Sequence, residues 1–114
     1  MGDARHRARG AVSRIALVRT TLADMAAAEK LAHALVEERL AACVTLEPVR
    51  SIYRWQGAIA DDAEVALLCK TATDRAEALR ARIAALHDYG LPVIESWAVE
   101  CDAMAAAWVR EATP

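Results

Sequence analysis

Residues 42–71, ACVTLEPVRSIYRWQGAIADDAEVALLCKT, decide the fold of this chain. The first part, residues 42–55, is rich in β-branched, aliphatic and aromatic side chains, which are typical of a strand. The last part, residues 63–71, carries apolar side chains at both odd and even positions, so both faces of this strand are expected to be covered. Together the two segments predict a β-hairpin with strands well beyond the usual length of about 5–6 residues.

The middle of this stretch carries residues that are typical of turns. Gln56-Gly57 and Asp61-Asp62 both favour a chain reversal, so we expect the connection between the two strands to include both pairs. Pro48 lies inside the first strand and cannot donate a ladder hydrogen bond. It therefore predicts either a bulge or an edge position for that strand.

Further strands and helices are predicted on both sides of the hairpin. Residues 14–21 form a short aliphatic segment, and residues 93–100 form another, so each predicts a strand. Apolar residues at helical spacing predict a helix over about 24–40, with Asp24 as its N-cap, and a second helix over about 74–87.

Capping residues also precede the later helices. Asp74 and Glu77 have the spacing of a capping box, with Asp in place of the usual Ser or Thr. Asp102 is predicted to cap a short third helix. In that helix Met104 and Trp108 are four residues apart and therefore share a face.

The resulting order, β-α-β-β-α-β with a C-terminal helix, predicts an α+β protein with a ferredoxin-like fold. Two right-handed β-α-β crossovers would place the two long helices on one face of an antiparallel sheet. Because the strands are apolar on both faces, the other face would form an exposed apolar patch in an isolated chain. We therefore expect self-association into a closed ring, and the alternative is that the C-terminal helix covers this face alone.

Length and charge limit the class of protein further. The chain has 114 residues, which fits one domain over residues 14–114 preceded by a disordered basic tail over residues 1–13. The net charge is -2 although the tail is basic, so the folded part is acidic, which argues against a nucleic-acid partner. No apolar run approaches the roughly 20 residues that a membrane helix needs, so no membrane partner is expected.

The three cysteines favour a reducing compartment. Cys43, Cys69 and Cys101 are odd in number, far apart and without a C-x-x-C pair, so reduced thiols in the cytoplasm are expected. Cys69 alternates with apolar residues and is predicted in the core. Cys43 is either a small buried side chain or a ligand for a soft metal, and His87 is either a metal ligand or a partner of the last helix carbonyls.

Common catalytic motifs are absent from the sequence, which argues against an enzyme. We find no G-x-G-x-x-G, P-loop, H-E-x-x-H or G-x-S-x-G pattern. An enzyme that uses Cys43 as a nucleophile beside His87 is disfavoured because no oxyanion motif accompanies the pair.

Four motifs resemble those of the CutA family, the divalent-cation tolerance proteins. They are ERLAACV at 38–44, YRWQG at 53–57, EVALLCKT at 64–71 and HDYGLP at 87–92, and the resemblance covers about residues 15–110. It implies a homotrimer of ferredoxin-like protomers whose long hairpins pair between subunits. It also implies a role in the response to copper and other divalent metal ions, with no enzymatic reaction attached.

The resemblance implies a metal site as the first functional hypothesis. Cys43 matches the cysteine of the family's A-A-C motif, and His87 matches the histidine before its tyrosine. With Glu95 as an oxygen donor, and Asp88 as a further candidate, these side chains would bind copper or another divalent metal as cofactor, because thiolate and imidazole suit copper or zinc.

The chain departs from the family at positions that bear on this metal site. Asp88 stands where the family usually has Pro, and Val93 stands where it usually has Glu, with Glu95 two residues further on. Some members have an additional cysteine near the end of the first strand, where this chain has Thr20 or a neighbouring residue.

The second hypothesis is a signalling or scaffold trimer without direct metal binding. Such a trimer would bind a small molecule or a protein in the cleft between subunits. The predicted cleft residues are Tyr53, Trp55, Glu64, Lys70 and Tyr89.

Overall fold

The computed structural model describes residues 11–114. In this part of the chain the elements are β1 (Val12–Leu22), α1 (Met25–Glu37), β2 (Cys43–Trp55), β3 (Ala58–Thr71), α2 (Ala76–Leu86), β4 (Glu95–Asp102) and α3 (Ala103–Ala112), with a 3₁₀ turn at Thr73–Arg75. The tail predicted over residues 1–13 falls mostly on residues 1–10, outside the described residues, and β1 begins two residues before the predicted start at residue 14.

The four strands form one antiparallel sheet in the order β2-β3-β1-β4. Helices α1 and α2 pack on one face of it, and the element order is β-α-β-β-α-β followed by α3. The predicted α+β class and antiparallel sheet are therefore confirmed. Among residues 11–114, none of the helices combines the length and the apolar character that crossing a membrane requires.

The main core lies between the sheet and the first two helices. Val18 and Cys69 project from the central strands towards Leu35 of α1 and towards Leu79 and Ile83 of α2, and all five side chains are fully buried. Cys69 is thus in the core, as its spacing predicts. Burial, and secondarily the nearby Cys43, raises the pKa of the Cys69 thiol to about 12, so this thiol is inert.

Helix α3 covers only part of the opposite face of the sheet. Ile15 of β1 packs there against Ala106 and Val109, and the three side chains form a second, smaller buried cluster. Trp97 of β4 shares this face because it pairs with Leu17, yet 44% of its surface remains exposed. Helix α3 therefore covers one end of this sheet face. Apolar surface remains exposed further along the strands, in the direction in which the hairpin extends.

The hairpin continues beyond the rest of the sheet as a two-stranded arm. Its register runs without interruption from the Cys43–Lys70 pair to the turn, so Pro48 marks an edge strand and not a bulge. Strand β1 ends at Leu22, opposite Val65, so the outer part of β3 has β2 on one side and no strand on the other. The arm contributes to a longest dimension of 59 Å.

The predicted connection between the hairpin strands was wrong in length. Gln56 and Gly57 alone form the turn, with φ angles of 50° and 82°, and this pair of left-handed residues matches the twist of the strands. Asp61 and Asp62 lie inside β3. Their turn propensity is outweighed by cross-strand contacts, since Asp61 Oδ1 accepts a hydrogen bond of 2.7 Å from Arg50 Nε.

Only one of the three predicted helix caps forms as predicted. Asp24 Oδ1 accepts a hydrogen bond of 2.8 Å from the Ala27 amide at the start of α1. The capping box of Asp74 and Glu77 was wrong, because residues 73–75 form a 3₁₀ turn, the N-cap of α2 is Arg75 and no side chain caps it.

Asp102 occupies the N-cap position of α3 without making a capping hydrogen bond from its side chain. Backbone groups take over here, since the Ala103 amide donates to the Ala11 carbonyl at 3.1 Å. The residue just before β1 therefore provides the acceptor for the first amide of α3, and the Asp102 side chain provides none.

Thr113 fixes the C-terminal end of α3 to the body of the protein. Its buried hydroxyl donates to the Val109 carbonyl at 2.7 Å and accepts from the Ala72 amide at 3.2 Å. The Thr113 side chain thus caps the C-terminal end of α3 and connects it to Ala72, the residue that follows β3.

We predict that Thr113→Val lowers the free energy of unfolding by about 1–3 kcal/mol, because the buried Ala72 amide loses its acceptor while the side-chain volume is kept. Urea denaturation monitored by circular dichroism measures this change. Thr73→Val, at an exposed position of the 3₁₀ turn, is the control. Equal stability of the two variants would contradict the assigned role of Thr113.

Candidate functional site

A groove of about 990 Å³ lies between the hairpin arm and the segment that leads from α2 into β4. Four of the five predicted cleft residues line it, namely Tyr53, Trp55, Glu64 and Tyr89. Lys70 lies outside, six residues from Glu64 along β3, which corresponds to roughly 20 Å of strand. The fold therefore brings four cleft residues together and separates the fifth.

Glu64 is the centre of the polar contacts at the root of this arm. Tyr89 Oη donates a hydrogen bond of 2.7 Å to Glu64 Oε2, and the hydroxyls of Ser51 and Thr21 lie near enough to the carboxylate to lower its pKa. Partial burial raises the pKa of Glu64, but these three hydroxyls, together with the nearby His87, outweigh it and hold the pKa below its ordinary value. The carboxylate is therefore ionised near neutral pH and connects three strands with the loop after α2.

Two tyrosines point their hydroxyls at carboxylates of this groove. Tyr53 Oη donates to Asp62 Oδ2 at 2.6 Å, and this hydrogen bond is the main reason why the pKa of Tyr53 is raised. The pKa of Tyr89 is also raised, first by burial and then by its hydrogen bond to Glu64. Both phenols stay protonated near neutral pH and orient the acidic groups.

His87 fixes the loop after α2 by using both of its ring nitrogens. Nε2 lies 2.8 Å from the Thr21 carbonyl, which can only accept, so Nε2 carries the proton. Nδ1 accepts from the Tyr89 amide at 3.1 Å, and the rings of His87 and Tyr89 are 4.8 Å apart. No lone pair of this neutral ring remains free for a metal ion.

The other two predicted metal ligands lie elsewhere in the protomer. Cys43 begins β2 opposite Lys70, at the end of the hairpin away from Glu64 and His87. Glu95 begins β4 and lies 3.6 Å from Arg19 in an exposed ion pair. Within residues 11–114, no three or more His, Cys, Asp or Glu side chains converge in a way that could hold a metal ion.

A single protomer therefore does not bring Cys43, His87 and Glu95 together. Their donor atoms also have other partners, as the hydrogen bonds of His87 and the ion pair of Glu95 show. The residues do not fit a mononuclear metal site within one protomer.

The positions that depart from the family pattern have structural roles of their own. Thr20 is buried, and its hydroxyl donates to the Val93 carbonyl at 3.0 Å, which ties β1 to the segment before β4. Val93 is itself exposed, as is Asp88, and both line the groove.

Sequence reasoning missed several residues of this site. Thr21, Ser51 and Asp62 act here only because the register places them beside Glu64 and Tyr53. Ser51 could have been predicted from the sequence, because it lies two residues from Tyr53 and therefore shares its strand face. Asp62 was assigned to the turn, so its contact with Tyr53 was not predicted.

These features define a class of protein: a ferredoxin-like α+β domain with a long two-stranded arm and an adjoining groove walled by tyrosines and carboxylates. Cys43 pairs with Lys70, whereas His87 is held at Thr21, which pairs with Ala66 four residues away along β3, so the two side chains do not form a nucleophile–base pair in the protomer. The chain belongs to the family described as CutA1 divalent ion tolerance protein, whose profile matches residues 16–112.

Relatives over nearly the whole chain agree with this family. The divalent-cation tolerance protein CutA of Thermus thermophilus is 43% identical over 99 residues, which cover 85% of this chain and 96% of the relative. The solved CutA structure from Synechococcus elongatus has a TM-score of 0.87 and 32% identity, covering 94% of this chain and 99% of that one. The resemblance inferred from the motifs is thus confirmed.

Two archaeal structures are also similar. The CutA1 crystal structure from Pyrococcus horikoshii has a TM-score of 0.84 and 37% identity, covering 87% of this chain and 98% of that one. The structure from Archaeoglobus fulgidus, described as a periplasmic divalent cation tolerance protein, has a TM-score of 0.84 and 27% identity, covering 90% and 100%.

We predict that Glu64→Gln lowers the free energy of unfolding by about 1 kcal/mol at pH 7, because the hydroxyl donors then face a neutral amide. The pKa of Glu64 is lower in the folded than in the unfolded state, so its stabilisation is present above the unfolded pKa of about 4.3 and is lost as the pH falls through the folded pKa. The difference between wild type and variant should therefore vanish in acid.

Thermal unfolding of both proteins between pH 3 and pH 8 measures this effect. Glu29→Gln, at an exposed position in the interior of α1, is the control and should follow the wild type at every pH. A stability difference at Glu64 that does not change with pH would contradict the role of its charge.

Proposed function

We propose that this chain acts in divalent-cation tolerance as a homotrimer that binds a ligand in the groove beside the hairpin arm. One observation carries the proposal: four of the five predicted cleft residues line one groove, whereas the three predicted metal ligands are separated. Binding in the groove therefore needs no rearrangement of the protomer. A metal site at Cys43, His87 and Glu95 would require either a rearrangement of the protomer or ligands from different protomers.

Uncovered apolar surface supports the trimer. Trp97 is 44% exposed on the sheet face that α3 covers only in part, and Trp55 is 52% exposed on the same face of the arm. Aromatic side chains of this kind are common at subunit interfaces. Three copies around one axis would close such a heterologous contact into a ring.

We predict that the wild-type protein sediments with the mass of three chains and that Trp97→Glu shifts the population to lower mass, because a buried carboxylate at the interface is costly. Val36→Glu makes the same change on the exposed outer surface of α1 and should leave the mass unchanged. Sedimentation velocity distinguishes the species. A wild-type protein that stays monomeric at micromolar concentration would overturn the trimer.

Direct binding of copper or another divalent metal is the second candidate, and Cys43 is the observation that favours it. Its thiol is only half-buried, unlike that of Cys69, and thiolates bind soft metals. Such binding would be centred on Cys43, with further ligands from another protomer or from solvent.

Equilibrium dialysis against Cu²⁺ and Zn²⁺ near neutral pH tests this candidate. The groove proposal predicts no stoichiometric uptake by the wild-type protein beyond that of Cys43→Ser. Cys101→Ser is the control, because it removes another partly exposed thiol. One ion per chain that is lost in Cys43→Ser and retained in Cys101→Ser would establish direct metal binding and displace the groove as the main site.

We further propose that the protein has no catalytic activity, no nucleic-acid partner and a cytoplasmic location. The separation of Cys43 from His87 supports the first, and the acidic charge of the chain supports the second. The free state of all three cysteines supports the third. Since the Archaeoglobus fulgidus relative is described as periplasmic, cell fractionation is the direct test of location.

A further inference from the structure

Two carboxylates of the groove lack a cationic partner. Asp62 and Glu64 are two residues apart on β3, so their side chains share one face. Within residues 11–114 their partners are neutral hydroxyls, and neither belongs to an ion pair. The root of the arm thus concentrates two negative charges that hydroxyl groups solvate but do not neutralise.

The arginines near the groove do not balance these carboxylates. Arg19 lies 3.6 Å from Glu95 and is paired with it. Arg54 also lines the groove, but it follows Tyr53 in β2, so strand alternation places it on the sheet face opposite to Asp62 and Glu64. Asp88 adds a further carboxylate to the groove wall. In the groove lining the carboxylates of Asp62, Glu64, Asp88 and Glu95 thus outnumber the guanidinium groups of Arg19 and Arg54, and the groove has an excess of negative charge.

Aromatic rings border the same carboxylates. Trp55 and Tyr53 follow each other on this face of β2 and are 52% and 42% exposed, and Tyr89 closes the groove from the loop side. The two phenol hydroxyls donate to the carboxylates, which increases the electron density of both rings. Electron-rich rings beside carboxylates attract cations through the ring face.

The chemistry favours an organic cation over a bare metal ion. A metal ion needs several converging ligands, and the residues described by the structure offer no group of three or more such side chains. An alkylammonium or guanidinium group needs only carboxylates as hydrogen-bond acceptors and aromatic or aliphatic surface for its carbon atoms.

We propose that this groove binds an alkylammonium or guanidinium group, with Asp62 and Glu64 as its acceptors and Tyr53 and Trp55 as its walls. The inference rests on the proposed function, because it names the ligand chemistry of the same groove. Two sources supply this chemistry: a free amine such as a polyamine, or an arginine side chain from a second copy of this chain.

Isothermal titration of the full-length protein with spermidine at low ionic strength tests the first source. Asp62→Asn combined with Glu64→Gln should weaken binding at least tenfold, and Trp55→Leu should weaken it without any change of charge. Glu77→Gln is the control and should bind as the wild type does. Mg²⁺ at equal ionic strength should not reproduce the binding heat, and near-UV circular dichroism confirms that each variant is folded.

Sedimentation of the same variants tests the second source. If an arginine of another copy occupies the groove, spermidine does not bind the assembled wild-type protein, and the double carboxylate variant dissociates at concentrations where Glu77→Gln remains assembled. Either result supports the cation assignment and identifies its source. Absence of spermidine binding together with an unchanged mass of the double variant overturns it.

The test separates this inference from the proposed function. A wild-type protein that binds a neutral or anionic compound in a Trp55-dependent manner retains the groove function and contradicts the cation assignment. A protein that stays monomeric and binds no compound in the groove contradicts both.

Discussion

The uninterrupted antiparallel register between β2 and β3 is the constraint on which the rest of the structure depends. Because no bulge breaks the ladder from Cys43 to Trp55, every side chain of the hairpin keeps its face over the full length of both strands. The inner part of β3 can therefore bury Leu67 and Cys69 against the helices. Its outer part presents carboxylates to the groove on the other face.

The same register sets the distance between the candidate functional groups. It places Cys43 at one end of the hairpin, and it places Tyr53 and Asp62 close together near the other end. His87 lies between these two ends, at the Thr21 carbonyl where Thr21 pairs with Ala66, and it orders the loop that carries Tyr89. The polar groups of the protomer are thus concentrated at the root of the arm, and its thiol chemistry lies at the opposite end of the sheet.

The sequence was sufficient for the features that depend on local pattern. Helical periodicity located α1 and α2, and alternation placed Cys69 in the core. The length of the hairpin connection could not be predicted, because the turn propensity of Asp61-Asp62 competes with the ion pair to Arg50, which exists only once the strands have paired. The contact of Glu64 with Tyr89 spans 25 residues and depends on how the loop after α2 folds back, which periodicity does not report.

The outer edge of the arm has a further consequence for how this chain behaves among other chains. Where β3 continues past the end of β1, its backbone amides and carbonyls face no neighbouring strand, and such an edge is a template for unplanned strand addition and aggregation. Asp62 and Glu64, which belong to none of the ion pairs among residues 11–114, place negative charge beside this edge, so two copies of it repel each other. Charged residues in an unpaired strand are a common protection against edge-to-edge association, and the acidic residues of β3 occupy the positions where this protection is needed.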